Sequence, residues 1–296
     1  MDTSILSWKA RWGLISTLLA MLFIAGQLAA LFLSIKFLMP EFLARQWSAS
    51  WFVLIPLFLL IVISTCFIEW FVHRDILHTV VYSFFRDIYR RHGRHHGFTL
   101  IYLEKINSNL TRIKSLYTIK EHRQNESVSF PDYMLLAFFA AYTIPLILLQ
   151  VIFSGLPILL TGYAAVACSY ACYEVFHPLE HKPNEWWEKR KNNPIARLLR
   201  WYLWPIQRFH EYHHLYPQYN MAIAGFFGMP LADIVLGTYK MPPQSLYDGL
   251  LIEPEKLTPP RTNRFVQKLD RWARTRSKRL LAEFHGREQL QLTTQP

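Results

Sequence analysis

Ten of the twelve histidines fall into four groups with the spacing of metal ligands. His92, His95 and His96 form an H-x-x-H-H stretch, and His210, His213 and His214 repeat it far downstream. On a helix, positions i, i+3 and i+4 share a face, so each stretch is expected to point three imidazoles one way. Neutral imidazoles that converge have one common use, the holding of a transition metal. His177 and His181 add an i, i+4 pair, whereas His73 and His78 are five apart. On a regular helix that is about 140° of rotation, so these two either serve different metals or need a local helix distortion. His122 and His285 stand outside the pattern.

Ten rings are too many for one ion. A structural zinc takes four ligands, and a catalytic zinc typically three plus water. Two ions with some five nitrogens each would keep an open position on a six-coordinate metal, which suits iron and oxygen chemistry better than tetrahedral zinc. Carboxylates stand nearby, but not at the Glu-x-x-His spacing of soluble di-iron bundles. Glu69, Asp75, Glu174, Glu180 and Glu211 are candidates for orienting ring nitrogens from behind. Cys66, Cys168 and Cys172 lie in apolar runs without a C-x-x-C pair and read as small packed hydrophobes.

The elements that must carry these rings are membrane helices. The chain has 296 residues and is 52% hydrophobic, rich for a soluble protein. Residues 12–35, 46–68 and 133–173 carry no charge, and a span needs roughly 20 residues. The first run is too long for the apolar part of a signal peptide and is expected to be retained. The third is broken by the turn signal Ser154-Gly155-Leu156-Pro157. The expected architecture is an all-α integral membrane protein of one domain. Four transmembrane helices, at about 12–38, 47–69, 133–153 and 157–174, carry a cytosolic helical cap (73–132 and 175–260) and a basic tail (261–296).

Topology also accounts for the net charge of +11. With four spans, only Lys36 and Arg45 of the 32 Lys and Arg fall on the side opposite the cap. Such an excess marks the cytoplasmic side, so nucleic acid is not an expected partner. Asn109-Leu-Thr111 and Asn125-Glu-Ser127 match the glycosylation pattern, but on that side they would go unused. Residues 195–209 and 261–287 mix aromatic and basic side chains and are expected to form helices lying on lipid or packed on the protein.

The order H-x4-H, H-x-x-H-H, H-x3-H and H-x-x-H-H around a membrane hairpin resembles the fatty acid hydroxylase/sterol desaturase superfamily. The resemblance runs from about residue 69 to 239. It includes Asp233-Ile-Val-Leu-Gly237-Thr238, similar to the family's Asp-x-x-Phe-Gly-Thr ending. Leu236 stands where the family usually has Phe, and Ala232 where Trp is common. The resemblance implies a membrane enzyme with two iron ions and O2 as co-substrate, with all ten clustered histidines as ligands. Its lipid substrate would be hydroxylated or desaturated using electrons from an external cytochrome, ferredoxin or reductase.

Hydroxylation of a lipid C–H bond is the leading expectation, with a desaturase on the same metals as the alternative. A membrane zinc hydrolase would need only about three histidines. A metal transporter would place polar groups inside the spans, where Gln27 and Gln150 are the main ones. Tyr212, Tyr216, Tyr219, Phe226 and Phe227 are candidates for lining a substrate channel, with core packing as their other role. The compact four-span form points to a bacterial inner membrane rather than the endoplasmic reticulum.

Overall fold

The computed structural model describes residues 14–121, 124, 127–128, 130, 133–259 and 261–293. His122, Asn125 and the 1–13 segment with Lys9 and Arg11 lie outside these residues, as does the side chain of His285.

The first apolar run forms α1 (Leu14–Leu38), and a short amphipathic helix, α2 (Pro40–Trp47), turns the chain back. The second run forms α3 (Trp51–Val72), whose first turn is capped by Ser50 accepting from Phe52 N–H. Beyond Val72 the helix does not stop but widens into a π-turn, His73–Leu77, closed by His78 N–H donating to His73 O at 3.0 Å. After a short 3-10 turn, the first H-x-x-H-H stretch lies on α4 (Arg86–Phe98). The chain then departs from a purely helical cap. β1 (Ile101–Lys105) and β2 (Thr111–Ser115) pair antiparallel as a hairpin with Asn107–Asn109 at its turn, where Asn107 Oδ1 accepts from Asn109 N–H. Ile101 and Ile113 face inward, and the charged residues of both strands lie partly or largely exposed.

α5 (Met134–Ile152) and α6 (Ile158–Glu180) form an antiparallel hairpin around the 153–157 turn. Gln150 closes that turn by donating to Leu156 O, and it accepts from Gln46 Nε2, so α2 is tied to the same end. Gly162 admits Leu146 where a Cβ would collide with it, letting α5 and α6 pack closely. α1, α3, α5 and α6 are each long and apolar enough to cross a membrane, and α6 is the most buried of the four.

Past the one-turn α7 (Asn184–Glu188), Asn193 caps α8 (Pro194–Leu215), taking Ile195 and Ala196 N–H on its side chain. The first half of α8 exposes Ile195, Leu198 and Trp201, and the second half is buried and carries the second histidine stretch. α9 (Leu231–Leu236) ends on Gly237, at φ +71°, the left-handed conformation that favours glycine. β3 (Leu251–Ile252) completes the sheet beside β2, followed by α10 (Pro254–Leu257) and the long basic tail helix α11 (Arg264–Thr293). The inner stripe of α11, Val266, Ala273 and Leu280, packs on the body, and Phe265 and Trp272 stand about half exposed on another side. Arg74 to Asp270 (2.9 Å) and Val80 N–H to Ser277 Oγ fasten the tail to the segment after α3.

Candidate metal centre

The ten histidines form two groups of five. Centre I comprises His73, His78, His92, His96 and His213, and centre II comprises His95, His177, His181, His210 and His214. Within each group the ligand atoms lie within 4.8 Å of one another. The helix ends α3 and α6 contribute two rings to each centre, and the cap helices α4 and α8 contribute three.

Neither H-x-x-H-H stretch serves one point, contrary to the simplest expectation from its spacing. On α4, His92 and His96 go to centre I and His95 to centre II; on α8, His210 and His214 go to centre II and His213 to centre I. The helix geometry explains the split: i and i+4 differ by about 40° of rotation, whereas i+3 lies about 60° to the other side of i. The two centres therefore sit either side of both helices. His73 and His78 serve the same centre. The π-turn takes an extra residue into the helical turn, so five positions rotate less than on a regular helix and the two rings lie face to face, with centroids 5.0 Å apart and planes 15° from parallel.

The rings are held by backbone carbonyls. His73 Nδ1–H donates to Met221 O (2.6 Å), His213 to Tyr219 O (2.8 Å), His177 to Val128 O (2.9 Å) and His181 to Tyr117 O (2.8 Å). Thr99 spends its hydroxyl proton on His95 O and so accepts from His214 Nδ1–H. Each bond leaves the Nε2 lone pair of that ring bare. Bare or not, the Nε2 atoms crowd together. His92 lies 3.0 Å from both His73 and His78, and His78 3.0 Å from His213. In centre II, His95 to His177 is 3.2 Å, His181 to His210 3.0 Å and His210 to His214 3.1 Å.

A metal fits this arrangement. With metal–nitrogen bonds of about 2.1 Å, ligands at right angles lie about 3.0 Å apart and tetrahedral ligands about 3.4 Å. The observed separations match the right-angled case. Burial keeps the rings uncharged and ready to ligate, lowering His181 to about 3 and His213 to about 4; the hydrogen bonds to Tyr117 and Tyr219 oppose it only in part. His78, His92, His95, His96, His210 and His214 are pushed well down by burial first and by the neighbouring rings second.

Four of the five candidate carboxylates bond backbone amides or neighbouring side chains. Glu69 accepts from Ala224 and Gly225 N–H, Glu174 from Phe130 N–H, and Glu211 from Leu246 N–H, Ser245 Oγ and Gln207. Asp75 pairs with Arg74. Glu180 is fully buried, and neither of its oxygens has a hydrogen-bond partner among the described residues. Carbonyls orient the rings, and carboxylates set the loops that present some of those carbonyls. Asp233 is the clearest case. Its oxygens accept from Met221 N–H, Ala222 N–H and Thr238 Oγ1, and Trp70 Nε1–H donates to the same threonine hydroxyl. The Asp233-to-Thr238 stretch thus fixes the Met221 carbonyl that holds His73. The short spacing of Asp233, Gly237 and Thr238 was the sequence signal for this device.

Beside centre I an apolar cavity runs between α3, α5 and α6, from His73 to Thr65, eight residues or about 12 Å along the helix. Its walls include Phe138, Tyr142, Val166, Ser169 and Tyr173. Few of its polar groups are free: Ser169 bonds Thr65 (2.7 Å), and both Glu69 oxygens are taken by amides. The aromatic residues of the last cluster are elsewhere. Tyr212 is buried and donates to Leu257 O, Tyr216 and Tyr219 pack beside it, and Phe226 and Phe227 lie in the next turn. A second, polar groove reaches His78 between Arg74, Gln218, Asp270 and Arg274. Centre II lines none of the described cavities.

Comparison with protein-family models, curated proteins and solved structures finds no match. The chain is a helical protein with four membrane-type helices and two histidine groups able to hold metal.

Proposed function

We propose that the chain is a membrane-bound di-iron oxygenase that hydroxylates a C–H bond in the hydrocarbon chain of a lipid. The carrying observation is that His73, one ring of a five-imidazole centre, lines an apolar cavity between helices of membrane length. The order of the histidine groups, which resembles the fatty acid hydroxylase/sterol desaturase superfamily, supports the same reading. Two irons, supplied with O2 and electrons from an external donor, would provide the oxidant that side chains lack. All-nitrogen donor sets with right-angled spacing favour iron over tetrahedral zinc.

The protein's own part is positioning and exclusion. The aromatic and aliphatic walls strip water from an acyl chain, and the paired hydroxyls of Thr65 and Ser169 offer it little to bind. Carbonyls set the tautomers of His73, His177, His181 and His213, so these four rings need lose no proton on loading. The polar groove at His78, on a face away from that cavity, is where an electron donor would approach. The basic balance of the cap side supports a cytoplasmic position for that face.

The test is lipid mass spectrometry on cells with and without the protein, joined to metal analysis of the purified chain. A gain of one oxygen in a lipid chain and close to two irons per chain are expected. Ser169→Phe, which fills the cavity, should keep the metal and lose the product. A loss of two hydrogens instead would make the enzyme a desaturase; one zinc and no O2 dependence would end the oxygenase reading.

A further inference from the structure

Beyond the spans the protein keeps an apolar outer face. On α8, Ile195, Leu198 and Trp201 recur every three residues and stand exposed, Trp201 by 74%. At 100° per residue these three fill one side of the helix. Leu199, Leu203 and Ile206 fill a second side and pack on the end of α6, and Arg197, Arg200 and Arg208 fill a third. An apolar stripe left outside and flanked by arginines is the pattern of a helix lying at a lipid surface. The following segment continues it. From Asn220 to Leu236 the one charged side chain is Asp233, which is buried, while Met229, Ile234 and Val235 stand exposed, Val235 by 66%. Gly228 lies against Ile206 and Tyr202 of α8. An apolar groove between the two segments is lined by Trp201, Pro205, Phe209, Met229 and Tyr239.

α9 lies beside a span, not past its end. Leu231, Ala232 and Leu236 pack on Cys66, Phe67 and Trp70 of α3. A hydrocarbon core takes about 20 helical residues, so one that starts at Trp51 ends near Phe71, and Ile68 and Phe71 are themselves exposed. Cys66 is then about 7 Å inside the boundary. Irregular backbone is tolerated at that depth only where its polar groups are satisfied within the protein. The chain before α9 meets this condition through two buried carboxylates. Asp233 takes the amides of Met221 and Ala222, Glu69 takes those of Ala224 and Gly225, and Phe226 and Met229 bond each other.

We propose that the first half of α8, the Phe226–Pro230 turn and α9 are set into the bilayer, with phospholipid acyl chains filling the groove between them. The occupant is lipid because the face is continuous with the exposed surface of α3 and is bordered by cations. Lys189, Arg190 and Lys191 stand exposed just before α8 and join Arg197 and Arg200 at the level of the phosphates. The helix that carries His210, His213 and His214 is thereby anchored in the same membrane as the span ends that carry the other rings. This rests on α3 being a span and needs no metal.

The experiment places a nitroxide at Leu198→Cys, Met229→Cys or Val235→Cys in the full-length protein with Cys66, Cys168 and Cys172 replaced by alanine. The protein sits in nanodiscs of phosphatidylcholine and phosphatidylglycerol, and circular dichroism checks the fold. Ile144→Cys, exposed in the middle of α5, is the bilayer reference, and Tyr247→Cys, exposed by 59%, is the water reference. Labels at 229 and 235 should collide with O2 several-fold more often than with a water-soluble nickel chelate, as at 144. The label at 198 should fall between the references. In the protein with its natural cysteines, Trp201→Phe should lower the tryptophan emission that brominated phospholipid quenches. Nickel access at 229 and 235 equal to that at 247 would overturn the proposal, as would a quenched emission unchanged by Trp201→Phe. Exclusion of both reagents would also overturn it, since a second copy or another protein would then cover the face. Nickel access at 144 would instead remove the spans themselves.

Discussion

The interleaving of the two centres can be tested with pairs of substitutions chosen against the sequence. His95 and His96 are neighbours in the chain but belong to different centres, whereas His95 and His177 are 82 positions apart and share one. Structural zinc sites gain about 10–16 kcal/mol from four ligands, so one ligand contributes about 3 kcal/mol, or roughly a hundredfold in affinity. Let free metal be buffered at about ten times the wild-type Kd, where simple mass action fills each centre to about 0.9. His95→Ala/His177→Ala then empties centre II and leaves centre I at about 0.9 ions per chain. His95→Ala/His96→Ala removes one ligand from each, so both fall to about 0.09 and the chain holds about 0.2 ions. Metal per folded chain after rapid gel filtration in the same buffer separates these outcomes, with circular dichroism confirming helix content. If the adjacent pair retained close to one ion and the distant pair lost both, the partition of the rings would be wrong.

Three further outcomes follow from the packing. In the metal-free protein the rings of His181 and His213 stay neutral down to about 3 and about 4, while in the unfolded chain they titrate near 6.5. Between those values the unfolded chain binds more protons, so stability should fall as pH drops below 6.5 and this loss should be complete near pH 3; a melting temperature flat from pH 7 to 4 would contradict it. Gly225 sits at φ +49° and donates to Glu69, and a Cβ there would strike Met229 O. Gly225→Ala should cost about 3 kcal/mol and lower the melting temperature of the loaded protein. Asp270→Ala removes one of the two carboxylates on buried Arg74, the other being Asp75. It should cost about 2 kcal/mol and speed proteolysis within 264–293, and an unchanged cleavage rate would show that the tail is fastened elsewhere.

What could be read from the chain was what side-chain type and spacing encode. Uncharged runs of span length and the His-rich motifs are visible because they depend on composition and on a fixed helical period. That His95 and His213 part from their neighbours follows from the helical period, but which distant rings each joins depends on where the helices cross, which no local period reports. The carbonyls of Met221, Tyr219, Val128 and Tyr117 were invisible for a simpler reason: every residue has one, so a backbone ligand-holder leaves no mark in the alphabet. The β1–β2 hairpin was hidden because Glu104, Lys105, Arg112 and Lys114 dilute the alternation carried by Ile101 and Ile113. The cavity wall came from α3, α5 and α6 rather than from the aromatics after the last histidine stretch. Tyr142, Ser169 and Tyr173 are ordinary residues of a membrane run until the helices are packed.

The π-turn has a mechanical consequence. His73 and His78 are rigid continuations of α3, and His177 and His181 of α6, while the remaining six ligands ride on helices outside the apolar bundle. A helix longer than the surrounding hydrocarbon tilts, and a shorter one sinks, at modest cost per ångström. Any such adjustment of α3 or α6 moves two ligands of one centre against three that stay behind. Lipid chain length thereby becomes a dial on metal affinity, and titrating the protein in nanodiscs of graded acyl length would read it directly.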